Sequence, residues 1–196
     1  MLAAAAGASA CAGLQPRSAG TAAQTLKPVA PAPIPPPAAI TAPANAPPNS
    51  YANSQYKFTC TIPDGFIVSH ESEGPGEIMT LAPQSVSSNS TANISVRAAR
   101  LGRLSLDQYM ELRVTRDLQG TANVAHWDKF PASYGVYSGT EVVVERQYAS
   151  GPFKSRIFGF SHGPDVFIVN YTASSDQFDS GQKVLDQFLG TLSFTP

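Results

Sequence analysis

The sequence predicts an α+β domain, an antiparallel β-sheet flanked by helices, preceded by a disordered N-terminal arm. Three observations predict it. Short segments of the second half alternate apolar and polar residues with a period of two. Two longer segments repeat their apolar residues at helical spacing and begin at capping residues. Residues 1–50 hold 17 Ala and 10 of the 17 Pro but no aromatic residue. Strands joined by tight turns pair antiparallel, and amphipathic helices then bury their apolar stripes on the sheet.

The arm carries two charges, Arg17 and Lys27. A Pro-rich segment without aromatics cannot bury enough surface to offset its chain entropy. Residues 12–52 therefore read as an Ala/Pro-rich tether, with polyproline II around Pro35-Pro36-Pro37. At about 3.1 Å per residue such a segment reaches on the order of 100 Å when extended. Residues 53–196 read as one globular domain, long enough to bury a real core. The net charge of −1 excludes nucleic-acid binding driven by bulk electrostatics. Two cysteines are too few for a disulfide scaffold or a Cys-rich zinc site. No run of 18 apolar residues reads as a transmembrane helix.

The elements follow in order. Tyr56, Phe58, Cys60 and Ile62 alternate with polar residues and predict a half-buried strand with Cys60 inward. Pro63-Asp64-Gly65 is a turn signal. Phe66–Val68 and Ile78–Leu81 predict short strands, Gln84–Thr91 a loop, and Ala92–Ala98 a strand with Ile94 and Val96 on one side. Ser105 and Gln108 stand at capping-box spacing, with Leu104 and Tyr109 at the staple positions. Leu106, Tyr109, Met110, Val114 and Leu118 give that helix one apolar face, and Gly120 is expected to close it in a left-handed conformation. Val136–Tyr148, with a bend at Ser138-Gly139, then Phe153–Phe160 and Val166–Thr172 predict long strands. Ser150-Gly151-Pro152 and His162–Asp165 supply the hairpin connections. A second helix begins near Ser174 or Ser175, with Asp176 and Asp179 where the dipole favours them. Its apolar face is Phe178, Val184, Leu185, Phe188 and Leu189, and Gly190 is expected to end it. Leu192–Phe194 predicts a last short strand.

At the N-terminus, Ala8-Ser9-Ala10 precedes Cys11. Small residues at −3 and −1 suit a signal peptidase, and the Cys that follows resembles the lipobox of bacterial lipoproteins. Residues 1–11 thus read as a signal and lipobox-like segment, and the resemblance implies lipidation of Cys11. Ala8 stands where Leu is usual, and no basic residue precedes the apolar stretch, as expected if the natural signal begins further upstream. The alternatives are a simply cleaved signal and the Ala-rich start of a disordered arm.

A second resemblance rests on Ile62-Pro63-Asp64-Gly65-Phe66, Ser105-Leu106-Asp107-Gln108-Tyr109, Tyr171-Thr172-Ala173 before Asp176-Gln177-Phe178, and the closing Leu192-Ser193-Phe194. In this order they resemble the PsbP/DcrB-like domain of bacterial envelope lipoproteins. The same broad fold occurs in the extrinsic PsbP protein of photosystem II and in a Ran-binding protein. The resemblance covers residues 55–195 and implies an α/β/α sandwich with a non-enzymatic accessory role beside a membrane complex. Its motifs are turns, caps and core aromatics, so no functional residue is carried over.

The candidate chemistry is sparse. Gly159-Phe160-Ser161-His162-Gly163 matches the G-x-S-x-G nucleophile elbow, which needs a strand, a sharp turn and a helix. Here a second strand follows, so a hairpin is the better reading of Ser161. Ser180 and Lys183 match S-x-x-K without its companion motifs. His70, His126 and His162 form no helical pair; His126 with Asp128, or His70 with Glu71 and Glu73, are the candidates for a weak divalent site, against ordinary surface positions. Cys60 reads as a core residue. Asn89, Asn93 and Asn170 begin glycosylation sequons, without meaning in a bacterial protein. Arg97, Arg100, Arg103, Arg113 and Arg116 gather around the first helix and could face headgroups or an acidic partner. Asp107, Glu111 and Asp117 are interspersed, so helical ion pairs are the expected use.

These readings converge on a non-enzymatic lipoprotein of the bacterial cell envelope. A lipid anchor at Cys11 and a protein partner at the membrane are expected, with no cofactor, no metal and no nucleic acid. A secreted protein is the alternative location. The alternative functions are a small-ligand carrier, with Trp127, Tyr134, Tyr137 and Phe153 lining a groove, and a hydrolase using Ser161.

Overall fold

The computed structural model describes residues 49–72, 74–85 and 92–195. Cys11, most of the tether, Glu73, Asn89 and most of the 84–91 loop lie outside the described residues.

Among the described residues, ten strands form two antiparallel sheets. β1 (Ser50–Asn53), β2 (Phe58–Thr61) and β10 (Ser193–Phe194) make a three-stranded sheet in the order β1-β2-β10. The larger sheet contains β3 (Phe66–Glu71), β4 (Gly76–Pro83), β5 (Asn93–Arg100), β6 (Val124–Tyr134), β7 (Tyr137–Tyr148), β8 (Gly151–His162) and β9 (Asp165–Ser174). Its order is β3-β4-β5-β9-β8-β7-β6. The chain leaves β5 through a helical segment, enters at the far edge as β6, and meanders back until β9 pairs with β5. That crossover lays the helical segment across the sheet. The expected α+β class with an antiparallel sheet is present.

The hairpins follow from turn chemistry. Gly135 and Gly163 take φ of +58° and +56° between strands closed at Tyr134–Tyr137 and His162–Asp165. Positive φ at the first central residue suits a two-residue hairpin, and glycine adopts it without strain. Glu77 and Met79 flank a register shift against β5. This bulge explains why Ile78 and Met79, adjacent in sequence, are both buried.

Helix α1 (Leu106–Met110) opens on the expected capping box: the Gln108 backbone N–H donates to Ser105 Oγ at 3.2 Å, and Ser105 N–H donates to Gln108 Oε1 at 2.9 Å. It then widens into a π-helical turn, Glu111–Thr115, before α2 (Arg116–Gln119). In the turn, the Glu111 carbonyl accepts from Arg116 N–H, and the Thr115 hydroxyl adds a bond to the same oxygen at 3.0 Å. Gly120 ends α2 with φ −93°, so the expected left-handed closure is not formed. Helix α3 (Ser175–Thr191) also departs from expectation at its end. Gly190 lies inside it, and the turn finishes at Leu192, which is extended.

Two apolar clusters organise the domain. One joins Phe178, Leu185, Phe188 and Leu189 of α3 to Phe158, Phe160, Phe167 and Val169 and to Phe58 and Cys60 of the small sheet. The other joins Met110, Val114 and Leu118 to Val142, Val144, Ile157 and Ile168. Residues adjacent along β8 and β9 divide between the two, as pleating requires.

Two boundaries are corrected. β1 takes residues 50–52 out of the expected tether, because Tyr51 is buried and pairs opposite Cys60. Val124–Tyr134, not expected as a strand, is an edge strand, which is why Pro131 is tolerated within it.

Candidate functional site

Among the described residues, charged and polar side chains gather where α1, the π-helical turn and α2 cross the sheet. An open cleft of about 390 Å³ there is lined by Arg97, Ala99 and Arg100 of β5, Ile168 of β9, and Tyr109, Arg113, Val114 and Asp117 of the helical segment. It continues into a lobe of about 280 Å³ that adds Glu77, Ser95, Arg146 and Asn170. Arg97, Arg113, Val114, Asp117 and Ile168 line both parts.

Strand alternation builds the floor. Ile94, Val96 and Ala98 of β5 face the α3 cluster, so Ser95 and Arg97 face the cleft. Beside them, Arg146 Nη1 donates to Ser155 Oγ at 2.9 Å, Ser155 and Thr172 hydroxyls lie 2.8 Å apart, and Asn170 Nδ2 donates to Thr172 Oγ1 at 3.3 Å. This polar ladder crosses β7, β8 and β9 beside the inner lobe. The π-helical turn supplies the roof. An extra residue in a helical turn re-aims the side chains around it and recurs at functional sites; here Val114 and Thr115 are buried while Arg113 reaches the cleft.

The charges do not pair as expected along the helix. Lys129 of β6 takes the carboxylates of α1 and the π-helical turn, with Nζ 2.8 Å from Asp107 and 3.2 Å from Glu111. Hydrogen bonds from the Thr115 side chain and from Lys129 hold the Glu111 carboxyl below its ordinary range. Its bond to Asp107, opposed by partial burial, holds Lys129 above its own. Arg100 pairs with Asp165 at 3.3 Å. Among the described residues, Arg97, Arg113 and Arg116 have no carboxylate within ion-pair distance.

Ser161 and His162 end β8, and the chain turns at Gly163 directly into β9. The helix that a nucleophile elbow requires is not there. Gly159, first of the motif, answers to packing instead: a Cβ would collide with Met110 and lie 3.0 Å from Ile168 Cδ1. His162 stacks on Phe194 with centroids 3.9 Å apart. Ser180 Oγ donates to the Gln177 carbonyl of its own helix at 2.8 Å, and Lys183 is exposed on the same helix. His126 Nε2 meets Asp128 Oδ2 at 3.0 Å in the open. His70 is exposed, and Glu71 accepts from the Tyr51 hydroxyl at 2.8 Å. Among the described residues no three His, Cys, Asp or Glu side chains converge as metal ligands would. Cys60 is buried and free, and burial pushes its thiol up to about 12. Asn93 and Asn170 lie within β5 and β9.

The four aromatics expected to line one groove are dispersed. Tyr134 and Tyr137 pack on the α3 cluster, Trp127 on the α1–α2 cluster, and Phe153 against Tyr148 at a hairpin. The sequence reading found the arginines but missed Ser95, Arg146 and Asn170. The available signal was the polar residue between apolar neighbours in Ile94-Ser95-Val96 and Val169-Asn170-Tyr171.

No family model matches the sequence, and no curated protein sequence is significantly similar. Solved structures share the fold. A protein from Bacteroides thetaiotaomicron is 14% identical with a TM-score of 0.52, over 76% of this chain; this chain spans only 48% of that one. The cyanobacterial PsbP protein of Synechocystis is 13% identical with a TM-score of 0.52, covering 79% of this chain and 98% of its own. LpqN of Mycobacterium tuberculosis, described as involved in cell envelope biogenesis, is 13% identical with a TM-score of 0.54, covering 71% and 83%. The fold is therefore PsbP-like. Among the described residues no helix is long and apolar enough to cross a membrane.

Proposed function

We propose that this chain is a non-enzymatic accessory protein of the bacterial cell envelope. In this reading Cys11 carries a lipid anchor, the Ala/Pro-rich segment is a tether, and the folded domain engages a protein partner in a membrane complex. We read the two helix–sheet clusters as the outer layers of a helix/sheet/helix sandwich. The observation that carries the proposal is the PsbP-like fold following a lipobox-like Ala8-Ser9-Ala10-Cys11 and a long Pro-rich spacer. A domain held by lipid needs a spacer to reach a partner, and about 3.1 Å per residue gives it one. The test is fractionation and crosslinking of the full chain and Cys11→Ser in a bacterial host. The proposal expects the parent protein in membranes with a specific crosslinked protein, and the variant released. Equal release of both, without a crosslinked partner, contradicts it.

The cleft supports a second reading, a carrier of a small ligand. Its volume of about 390 Å³ falls within the range of small-molecule sites. A ligand that raises the melting temperature with concentration would favour this reading.

A further inference from the structure

We infer that the cleft under the π-helical turn binds a phosphate-bearing ligand through Arg97 and Arg113. This rests on the carrier reading and names its ligand class. The two arginines come from opposite walls, β5 and the π-helical turn, and both line both lobes. Neither has a carboxylate partner among the described residues. The reason is visible in the fold. Lys129 holds Asp107 and Glu111, so two of the three acids of the helical segment are turned toward β6, away from the cleft, and only Asp117 of the three lines it. Arg100 is spent on Asp165 and Arg146 on Ser155. Guanidinium forks match phosphate oxygens in geometry as well as charge, and a concave site whose arginines outnumber its carboxylates concentrates such an anion.

The neutral groups narrow the class. Ser95 is only 7% exposed, lines the inner lobe, and its hydroxyl makes no hydrogen bond among the described residues. It is a donor available to a ligand oxygen. Two carboxylates also line the cleft. Glu77 already accepts from Thr80 Oγ1 at 2.7 Å, whereas Asp117 is an acceptor for ligand hydroxyls. A small phosphate ester carrying hydroxyl groups satisfies both the arginines and Asp117. Its source is either a free solute or a phospholipid headgroup.

The experiment is calorimetric titration of the full chain, as Cys11→Ser, with sn-glycerol 3-phosphate, and flotation with phosphatidylglycerol against phosphatidylcholine vesicles. Glycerol is the neutral control. Arg97→Gln and Arg113→Gln remove exposed side chains, and their melting curves check the fold. Arg116→Gln, which does not line the cleft, is the charge control. The expected result is saturable binding of glycerol phosphate or of phosphatidylglycerol vesicles. Each cleft variant should weaken it by roughly tenfold or more, and Arg116→Gln should not. Binding of the solute assigns a free ligand; binding of vesicles alone assigns a headgroup. No binding of either probe overturns the inference, as does binding that both cleft variants retain. Native mass spectrometry of the protein from cells separates this failure from that of the carrier reading. A bound small molecule lacking phosphorus would overturn the phosphate assignment while leaving a carrier.

Discussion

Gly181 of α3 lies against the phenol of Tyr171 in β9: a Cβ on Gly181 would collide with the Tyr171 hydroxyl and approach Cζ to 2.6 Å. That hydroxyl is buried and has no hydrogen-bond partner among the described residues. The helix thus sits on the sheet at a distance only glycine permits. Gly181→Ala should destabilise the domain by about 1–3 kcal/mol through overpacking, although alanine is the better helix former. Tyr171→Phe removes the orphan oxygen and should be neutral or stabilising. In the Tyr171→Phe background Gly181→Ala should cost less. A chemical-denaturation cycle checks this; equal costs in both backgrounds would refute the contact.

The Glu141–Arg156 pair is buried between the sheet and α3. Arg156 Nε lies 3.0 Å from Glu141 Oε1, Tyr134 bonds to both groups, and Asp186 lies 3.4 Å from Nη1. Arg156→Met leaves a buried carboxylate and should cost about 3–5 kcal/mol. Glu141→Leu with Arg156→Met should recover most of that loss. Urea midpoints of the single and double variants measure it, and a double variant no better than the single would sink the prediction.

The Tyr134 phenol is pushed up to about 12, first by burial and then by its hydrogen bond to Glu141. A raised acid favours its protonated form in the fold. The associated stability is therefore whole below about pH 10, the ordinary tyrosine value, and is lost as pH rises toward 12. Ultraviolet titration of the parent against Tyr134→Phe isolates this group. A phenolate forming in the folded protein near pH 10 would contradict the assignment.

Cys60 should behave as an inert core thiol. With burial raising it to about 12, little thiolate exists at neutral pH. In Cys11→Ser, a thiol reagent should modify no cysteine until the domain unfolds. Rapid labelling in native buffer would show that Cys60 opens.

Ser161→Ala should leave any background ester hydrolysis unchanged, because its strand–turn–strand setting lacks the elbow geometry. Loss of turnover with the fold intact would restore the hydrolase reading.

Local chemistry was legible in the sequence. The Ser105–Gln108 capping box needs only four residues, and the apolar face of α3 needs only its own periodicity. β6 was not legible. Its residues include His126, Asp128, Lys129 and Pro131, without clean alternation, and its strand state depends on pairing with the Val-rich β7. The small sheet was hidden for a related reason: Phe194 pairs with Phe58 across most of the domain, through a strand of two residues. The site inherited the first omission. The arginine cluster is plain in the sequence, but helical spacing alone assigns the acids Asp107, Glu111 and Asp117 to neutralise it. Lys129, which claims Asp107 and Glu111, stands on the strand that went unread.

The most direct test of the accessory-protein account is native mass spectrometry of the full chain extracted from its own host in mild detergent. The account predicts a diacyl or triacyl increment on Cys11 and a stoichiometric protein partner. An unacylated monomer with no associated protein would contradict it.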